Sequence, residues 1–160
     1  MRKLYKQIDG VLHYHEAWCN GRTVYEHYGV VGKRGATKTH RLPRGADAEE
    51  VIPAILRPAA EAGYRPIEID DHGRLLIAYA VEGMGTPADL NTRHALEERM
   101  NEILGWTGIG MRDGGSIGSG TMEVCCFVVD FDIAQRVIAA DLEATEFSDF
   151  TRIYDEDASV

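Results

Sequence analysis

Five basic residues lie within a 12-residue stretch that contains no acidic residue. Lysine and arginine at this density can contact the phosphates of a nucleic acid, because each cation displaces counterions from the backbone. Side chains alternate between the two faces of a strand, so a single ligand does not reach all five. The alternative is an exposed edge strand whose charges prevent association with other sheets. The five residues are Lys33, Arg34, Lys38, Arg41 and Arg44.

A second segment, residues 113–121, combines four glycines with three hydroxyl residues. Its backbone N–H groups could bind an anion or a partner, but it lacks the lysine and the following helix of a P-loop. The alternative is a twisted hairpin connection that contains a β-bulge. The residues that would form a partner or ligand loop are Asp113, Gly114, Gly115, Ser116 and Ser119.

Residues that could bind a metal or act as nucleophiles form no recognisable motif. His13 and His15 share one face of a predicted strand, and a third ligand would have to come from Cys19 or His27. We therefore expect no metal, no cofactor and no catalytic residue, and a small-molecule enzyme built around residues 113–121 remains an alternative. We expect the other isolated histidines and the acidic helix face to be exposed to solvent: His40, His72, His94, Glu97, Glu98 and Glu102.

The composition excludes several classes of protein. The 160 residues are 44% hydrophobic and 27% charged, with three cysteines, which argues against a membrane protein, a disulfide scaffold and a disordered chain. No apolar run approaches the roughly 20 residues of a membrane helix, and no signal-peptide core follows the first residues. We therefore expect a cytoplasmic protein.

Charge is distributed unevenly along the chain. Residues 1–67 hold 11 basic against 7 acidic residues, whereas residues 68–160 hold 6 against 19, so the net charges are +4 and −13. A reversal of this size indicates two units that have different partners or that attract each other. We place the boundary between Pro66 and Gly73, with one domain at 1–67 and the other at 68–160.

The N-terminal part reads as an antiparallel meander followed by a helix. Asp-Gly and Asn-Gly pairs supply the residues with positive φ that tight hairpins need. A capping pattern at Asp47 opens a helix that ends at Gly63, and Pro53 and Pro58 predict a late start or a kink. The four predicted strands are residues 3–8, 12–19, 23–31 and 36–42.

The stretch from Val24 to Lys38, followed by a helix that ends in Ala62-Gly63-Tyr64, resembles a WGR domain over most of residues 1–67. The glycines of that pattern are present at Gly29, Gly32 and Gly35. Tyr28 stands at the position of the family's tryptophan, and Val30 stands at that of its arginine. The resemblance implies a sheet with one packed helix, and either nucleic-acid binding or contacts with a neighbouring domain.

The C-terminal part alternates as strand, helix, strand, strand, helix, strand, the order of a ferredoxin-like βαββαβ unit. Two strands that are apolar on both faces, residues 74–81 and 124–129, should form the central pair. The helices should begin at Thr86 and Asp132. Because the fold covers one sheet face with helices, the other needs the N-terminal unit or a second copy of the chain as a cover.

We therefore predict an α+β protein that works by binding and has no enzymatic activity. In the first hypothesis, Tyr28 and the five basic residues contact DNA or RNA. In the second, the basic unit docks on an acidic surface of this chain or of a protein partner, as in an interaction or immunity-type adaptor. Self-association through the C-terminal sheet is also open.

Overall fold

The computed structural model describes residues 1–159 and divides into two compact units, Met1–Glu68 and a second unit that begins at Ile69. The described residues form two antiparallel sheets and three α-helices, which confirms the α+β class. Among them, no helix combines the length and the apolar character needed to span a membrane.

The first unit contains a four-stranded meander in the order β1-β2-β3-β4, with all neighbours antiparallel. The β1–β2 turn uses Asp9 and Gly10, both at positive φ (51° and 78°), as a tight hairpin requires. The predicted meander is therefore confirmed, with strand ends that differ by at most one residue. The strands are β1 (Arg2–Ile8), β2 (Val11–Asn20), β3 (Thr23–Val30) and β4 (Ala36–Arg41).

Helix α1 (Ala48–Glu61) packs on this sheet. Asp47 caps it, since its carboxylate accepts a hydrogen bond from the Glu49 N–H at 3.0 Å. Of the expected late start or kink, the late start is wrong, because the helix begins directly after Asp47 and contains both prolines. The two interior prolines cost about 3 kcal/mol each. Burial of Ile52 and Leu56 against the sheet contributes about 1.5–3 kcal/mol each, which offsets most of that cost.

The second unit has the strand order β6-β7-β5-β8, again antiparallel throughout, so β5 and β7 form the central pair as predicted. Helix α2 begins at the predicted capping box, in which Thr86 and Asp89 bond each other's backbone N–H groups. Helix α3 begins one residue before the expected Asp132 and is capped by Asp130. The elements are β5 (Gly73–Ala80), α2 (Pro87–Trp106), β6 (Gly110–Gly118), β7 (Thr121–Val128), α3 (Phe131–Glu143) and β8 (Arg152–Asp155).

The glycine-rich segment is a bulged hairpin rather than a loop. Residues 113–118 belong to β6, and the register shifts between Arg112 and Gly114, so Asp113 is the bulged residue. The turn itself is formed by Ser119 and Gly120, at φ 53° and 83°. The alternative of a bulged hairpin is therefore the one observed: Asp113, Gly114, Gly115 and Ser116 are strand residues rather than loop residues, whereas Ser119 lies in the turn.

Candidate nucleic-acid interface

The five basic residues are all exposed and lie along strand β4 and its ends. Lys33 and Arg34 occupy the β3–β4 turn, Lys38 and Arg41 lie on β4, and Arg44 follows it. Within residues 1–159, none of the five forms an ion pair. Because β4 is the last strand of its sheet, these side chains form an exposed line, which we call the basic edge.

The basic edge is extended and has two sides. Lys38 lies opposite Glu26 in the register and Arg41 lies opposite Thr23, so these two cations point to opposite faces. The six residues of β4 span about 20 Å at the usual rise of a strand, which separates the turn residues from Arg44. A small ligand therefore meets only some of the cations, whereas a polymer with regularly spaced phosphates can follow the whole edge.

Tyr28 lies beside the basic edge, but its ring is already in contact with other side chains. The Lys38 ammonium is 5.3 Å from the ring centroid, which is a cation–π distance. The His15 ring stacks on Tyr28 with centroids 5.1 Å apart. The structure therefore brings Tyr28 and Lys38 together, as the sequence hypothesis requires, and it also reduces the free surface of the ring.

Glu26 joins two histidines on the same sheet face. Its carboxylate oxygens lie 2.7 Å from Nε2 of His15 and 2.7 Å from Nε2 of His40. Burial raises the pKa of Glu26, but the hydrogen bonds with the two histidines outweigh this effect, and the net pKa lies below its usual value. His40 is therefore not isolated as expected, although its side chain is still 40% exposed. These three side chains lie diagonally across β2, β3 and β4, an arrangement that depends on the strand register.

The opposite face of the sheet carries a buried polar network that the sequence analysis missed. His27 Nδ1 lies 2.7 Å from one carboxylate oxygen of Glu16, and Lys3 Nζ lies 3.2 Å from the other. The side chains of Glu16 and His27 are 3% and 1% exposed. They are direct cross-strand partners in a hairpin in which Asn20 pairs with Thr23, so Gly21 and Arg22 form the turn. The turn predicted at Asn20-Gly21 would have placed Glu16 opposite Tyr25, which is why the sequence did not reveal this pair.

Buried side chains on this face also bind the backbone of the β3–β4 turn. The Tyr14 hydroxyl donates a hydrogen bond to the Lys33 carbonyl oxygen at 2.9 Å, and His27 Nε2 contacts the Arg34 carbonyl oxygen. Burial, together with the charge of Glu16, raises the pKa of Tyr14, so its hydroxyl keeps its hydrogen. The backbone that carries the first two cations of the basic edge is thus bound by two buried side chains.

Among the described residues, no cluster of His, Cys, Asp or Glu could hold a metal ion. His13 and His15 do share a face, but His27 lies on the opposite one because it pairs with Glu16. Burial, with a smaller contribution from Cys125, raises the pKa of Cys126 to about 12, which makes this thiol a poor nucleophile.

The second unit also differs from one expectation. Glu97 is buried rather than solvated, because Arg93 and Arg112 lie 3.2 and 3.3 Å from its carboxylate oxygens. Gly115 lies directly beneath this cluster, where a Cβ would be 2.9 Å from Glu97 Oε1. Four of the five residues proposed for a ligand loop therefore lie on an edge strand that α2 covers on one face.

An open hollow of about 460 Å³ lies near the tip of the β6–β7 hairpin. It is lined by Ala80, Val81, Glu82, Thr86 and Asp89. The side chains of Thr86 and Asp89 already bond each other in the capping box. The remaining polar side chain of the lining is Glu82, and one carboxylate does not form a catalytic arrangement.

No protein-family model matches the chain, and no curated protein or solved structure matches it either. The class that the structure defines is therefore a two-unit α+β protein with two antiparallel sheets and three α-helices among its described residues.

Proposed function

We propose that this chain is a non-enzymatic binding protein whose basic edge contacts the phosphates of DNA or RNA. The observation that carries the proposal is the set of five exposed cations without an ion pair in residues 1–159, arranged along an edge strand. A cation that is already paired would have to give up its partner before it bound a phosphate. The cations of the basic edge have no ionic partner to give up, and Lys38 has only its cation–π contact with Tyr28, so their charge is available to displace counterions.

We further propose that the first unit is WGR-like and the second ferredoxin-like. A four-stranded meander with one helix and a turn bounded by Gly32 and Gly35 supports the first assignment. The strand order β6-β7-β5-β8, with one helix before β6 and one before β8, supports the second. Because the ferredoxin-like topology hosts many functions, the proposed activity rests on the basic edge alone.

The geometry sets the expected strength of the salt dependence. The turn cations Lys33 and Arg34, together with Lys38, are close in sequence, and three phosphate contacts give a slope of about −2.7 for log K against log salt on duplex DNA. The affinity should then fall about 40-fold between 50 and 200 mM salt. Engagement of Arg41 and Arg44 as well would make the slope steeper, by about 0.9 for each contact.

The test is a fluorescence-anisotropy titration of the full chain against labelled single-stranded DNA and 5′-phosphorylated duplex DNA at 50 and 200 mM salt. The variant Lys33→Ala/Arg34→Ala/Lys38→Ala should bind more weakly and should lose most of the slope. Arg57→Ala is the control for the removal of a positive charge, because Arg57 is an exposed cation of the same unit that lies on α1 rather than on β4 or its ends. It should leave the affinity nearly unchanged.

The absence of binding at 50 mM salt would contradict the proposal, as would binding that does not depend on salt. In that case the basic edge would be better explained as a docking surface for an acidic protein, the alternative that the same charges support.

A further inference from the structure

We propose that Tyr14 and His27 are positioning residues, which hold the turn of residues 32–35 in the conformation that contacts a phosphate group. This inference rests on the proposed function and assigns to the turn a defined part in it. The turn would meet its ligand already ordered, so that binding requires no prior folding of this segment.

Two side chains from different strands bind consecutive carbonyl groups of the turn. Tyr14 on β2 donates to the Lys33 oxygen at 2.9 Å, and His27 on β3 contacts the Arg34 oxygen. Because a carbonyl oxygen only accepts hydrogen bonds, Nε2 of His27 carries the hydrogen in this contact. Both anchoring residues are buried, at 0% and 1% exposure, while the side chains of Lys33 and Arg34 are exposed.

The anchors are themselves fixed. Glu16 holds the His27 ring through Nδ1 at 2.7 Å, and the same carboxylate is held by Lys3 at 3.2 Å. Tyr14 Oη also lies 3.2 Å from His27 Nε2, which links the two anchors directly. A connected network of this kind restricts each member to one rotamer, so the positions of the two donors are defined before any ligand arrives.

The backbone of the turn lies very close to strand β3 and to the Tyr14 side chain. Gly35 is at φ 67°, and a Cβ there would lie 2.2 Å from the Tyr28 carbonyl oxygen and 2.6 Å from the Tyr14 hydroxyl oxygen. A Cβ at Gly29 would lie 2.8 Å from the Gly35 Cα. Only glycine allows the turn to lie this close to the strand, which explains why both positions lack a side chain.

The functional consequence is a lower entropic cost of binding. A flexible turn would lose conformational freedom when its cations meet a phosphate, and this loss would weaken the affinity. Removal of an anchor therefore weakens binding although every charge is retained. Removal of a charge, in contrast, reduces the number of counterions that binding releases. The two kinds of variant can be distinguished by their salt slopes.

The experiment compares Tyr14→Phe, Lys33→Ala/Arg34→Ala and the parent, all as full chains, against 5′-phosphorylated DNA over a range of salt. Tyr14→Phe retains the ring and removes the donor, so its Kd should rise about three- to tenfold with an unchanged slope. The double variant should lose about 1.8 from the slope on duplex DNA. Hydrogen exchange of the amides of residues 32–35 should be faster in Tyr14→Phe, which reports on the turn independently of binding.

Tyr79→Phe is the matched control. It removes a similar hydroxyl-to-carbonyl bond, from Tyr79 to Phe147 at 2.8 Å, in the other unit. If Tyr79→Phe weakens binding as much as Tyr14→Phe does, the effect is a general loss of stability, and the positioning role is overturned. If Tyr14→Phe binds like the parent while Lys33→Ala/Arg34→Ala weakens binding, the positioning role is wrong and the proposed function stands. If the parent does not bind, both fail.

Discussion

Replacement of Glu16 by alanine should strongly destabilise the first unit. The side chains of Glu16 and His27 are 3% and 1% exposed and 2.7 Å apart, so the substitution leaves a buried imidazole without its carboxylate. Breaking a buried pair from one side costs about 3–5 kcal/mol. Since a domain is typically stable by about 5–15 kcal/mol, Glu16→Ala removes a large fraction of the stability. Glu16→Gln keeps a hydrogen-bonding oxygen and should cost less, about 1.5–3 kcal/mol.

Urea denaturation followed by tryptophan fluorescence measures this effect in the appropriate unit. The chain has two tryptophans, Trp18 in the first unit and Trp106 in the second, so a Trp106→Phe background reports on the first unit alone. The control is Glu61→Ala, which removes the same charge from an exposed position of that unit. It should change the free energy of unfolding by no more than about 0.5 kcal/mol.

A result in which Glu16→Ala and Glu61→Ala have the same urea midpoint would refute the reasoning. It would mean that the Glu16–His27 contact contributes nothing to the fold, and the rigid support that we assign to the β3–β4 turn would lose its basis.

Two further predictions concern the other polar contacts and the bulged hairpin. The net pKa of Glu26 is lowered, because the effect of its hydrogen bonds with His15 and His40 is larger than the opposing effect of burial. The carboxylate of Glu26 should therefore contribute its full stabilisation above pH 4.5, the unfolded pKa, and should lose it as the pH falls through the folded pKa. In acid titrations followed by circular dichroism, Glu26→Gln should remove the loss of stability that comes from protonation of Glu26. A variant whose unfolding profile against pH is the same as that of the parent would contradict this prediction. Gly115→Ala should destabilise the second unit by about 1–3 kcal/mol, because its Cβ would lie 2.5 Å from a carbonyl oxygen of β7. Gly114→Ala, which meets open space, is the control in the same thermal unfolding assay, and equal melting temperatures would refute the packing argument.

Local chemistry was sufficient to predict most of the elements. The tight turn at Asp9-Gly10 needs positive φ at both of its residues, which this pair tolerates. The capping box of Thr86 and Asp89 supplies hydrogen bonds to backbone N–H groups within four residues of chain. Such signals act between neighbours in sequence, so they can be read without the fold. The glycine-rich residues 113–118 show the limit of this reasoning. Their composition suggests a loop, but pairing with β7 supplies hydrogen bonds that override the weak strand propensity of glycine.

The sequence by itself determined the α+β class, the order of the elements and the identity of the five basic residues, because these depend on residue type and on local spacing. Only the tertiary structure decided which polar groups meet. His27 faces Glu16 and Glu97 is buried beneath two arginines because strand register and helix packing join residues from different elements. Burial then changes the energetics of those groups, since a charge removed from water must find a partner. The pairing of β4 with β3 also places the basic residues along one edge of the sheet. The hydrogen bond from Tyr14 then holds the turn that carries Lys33 and Arg34.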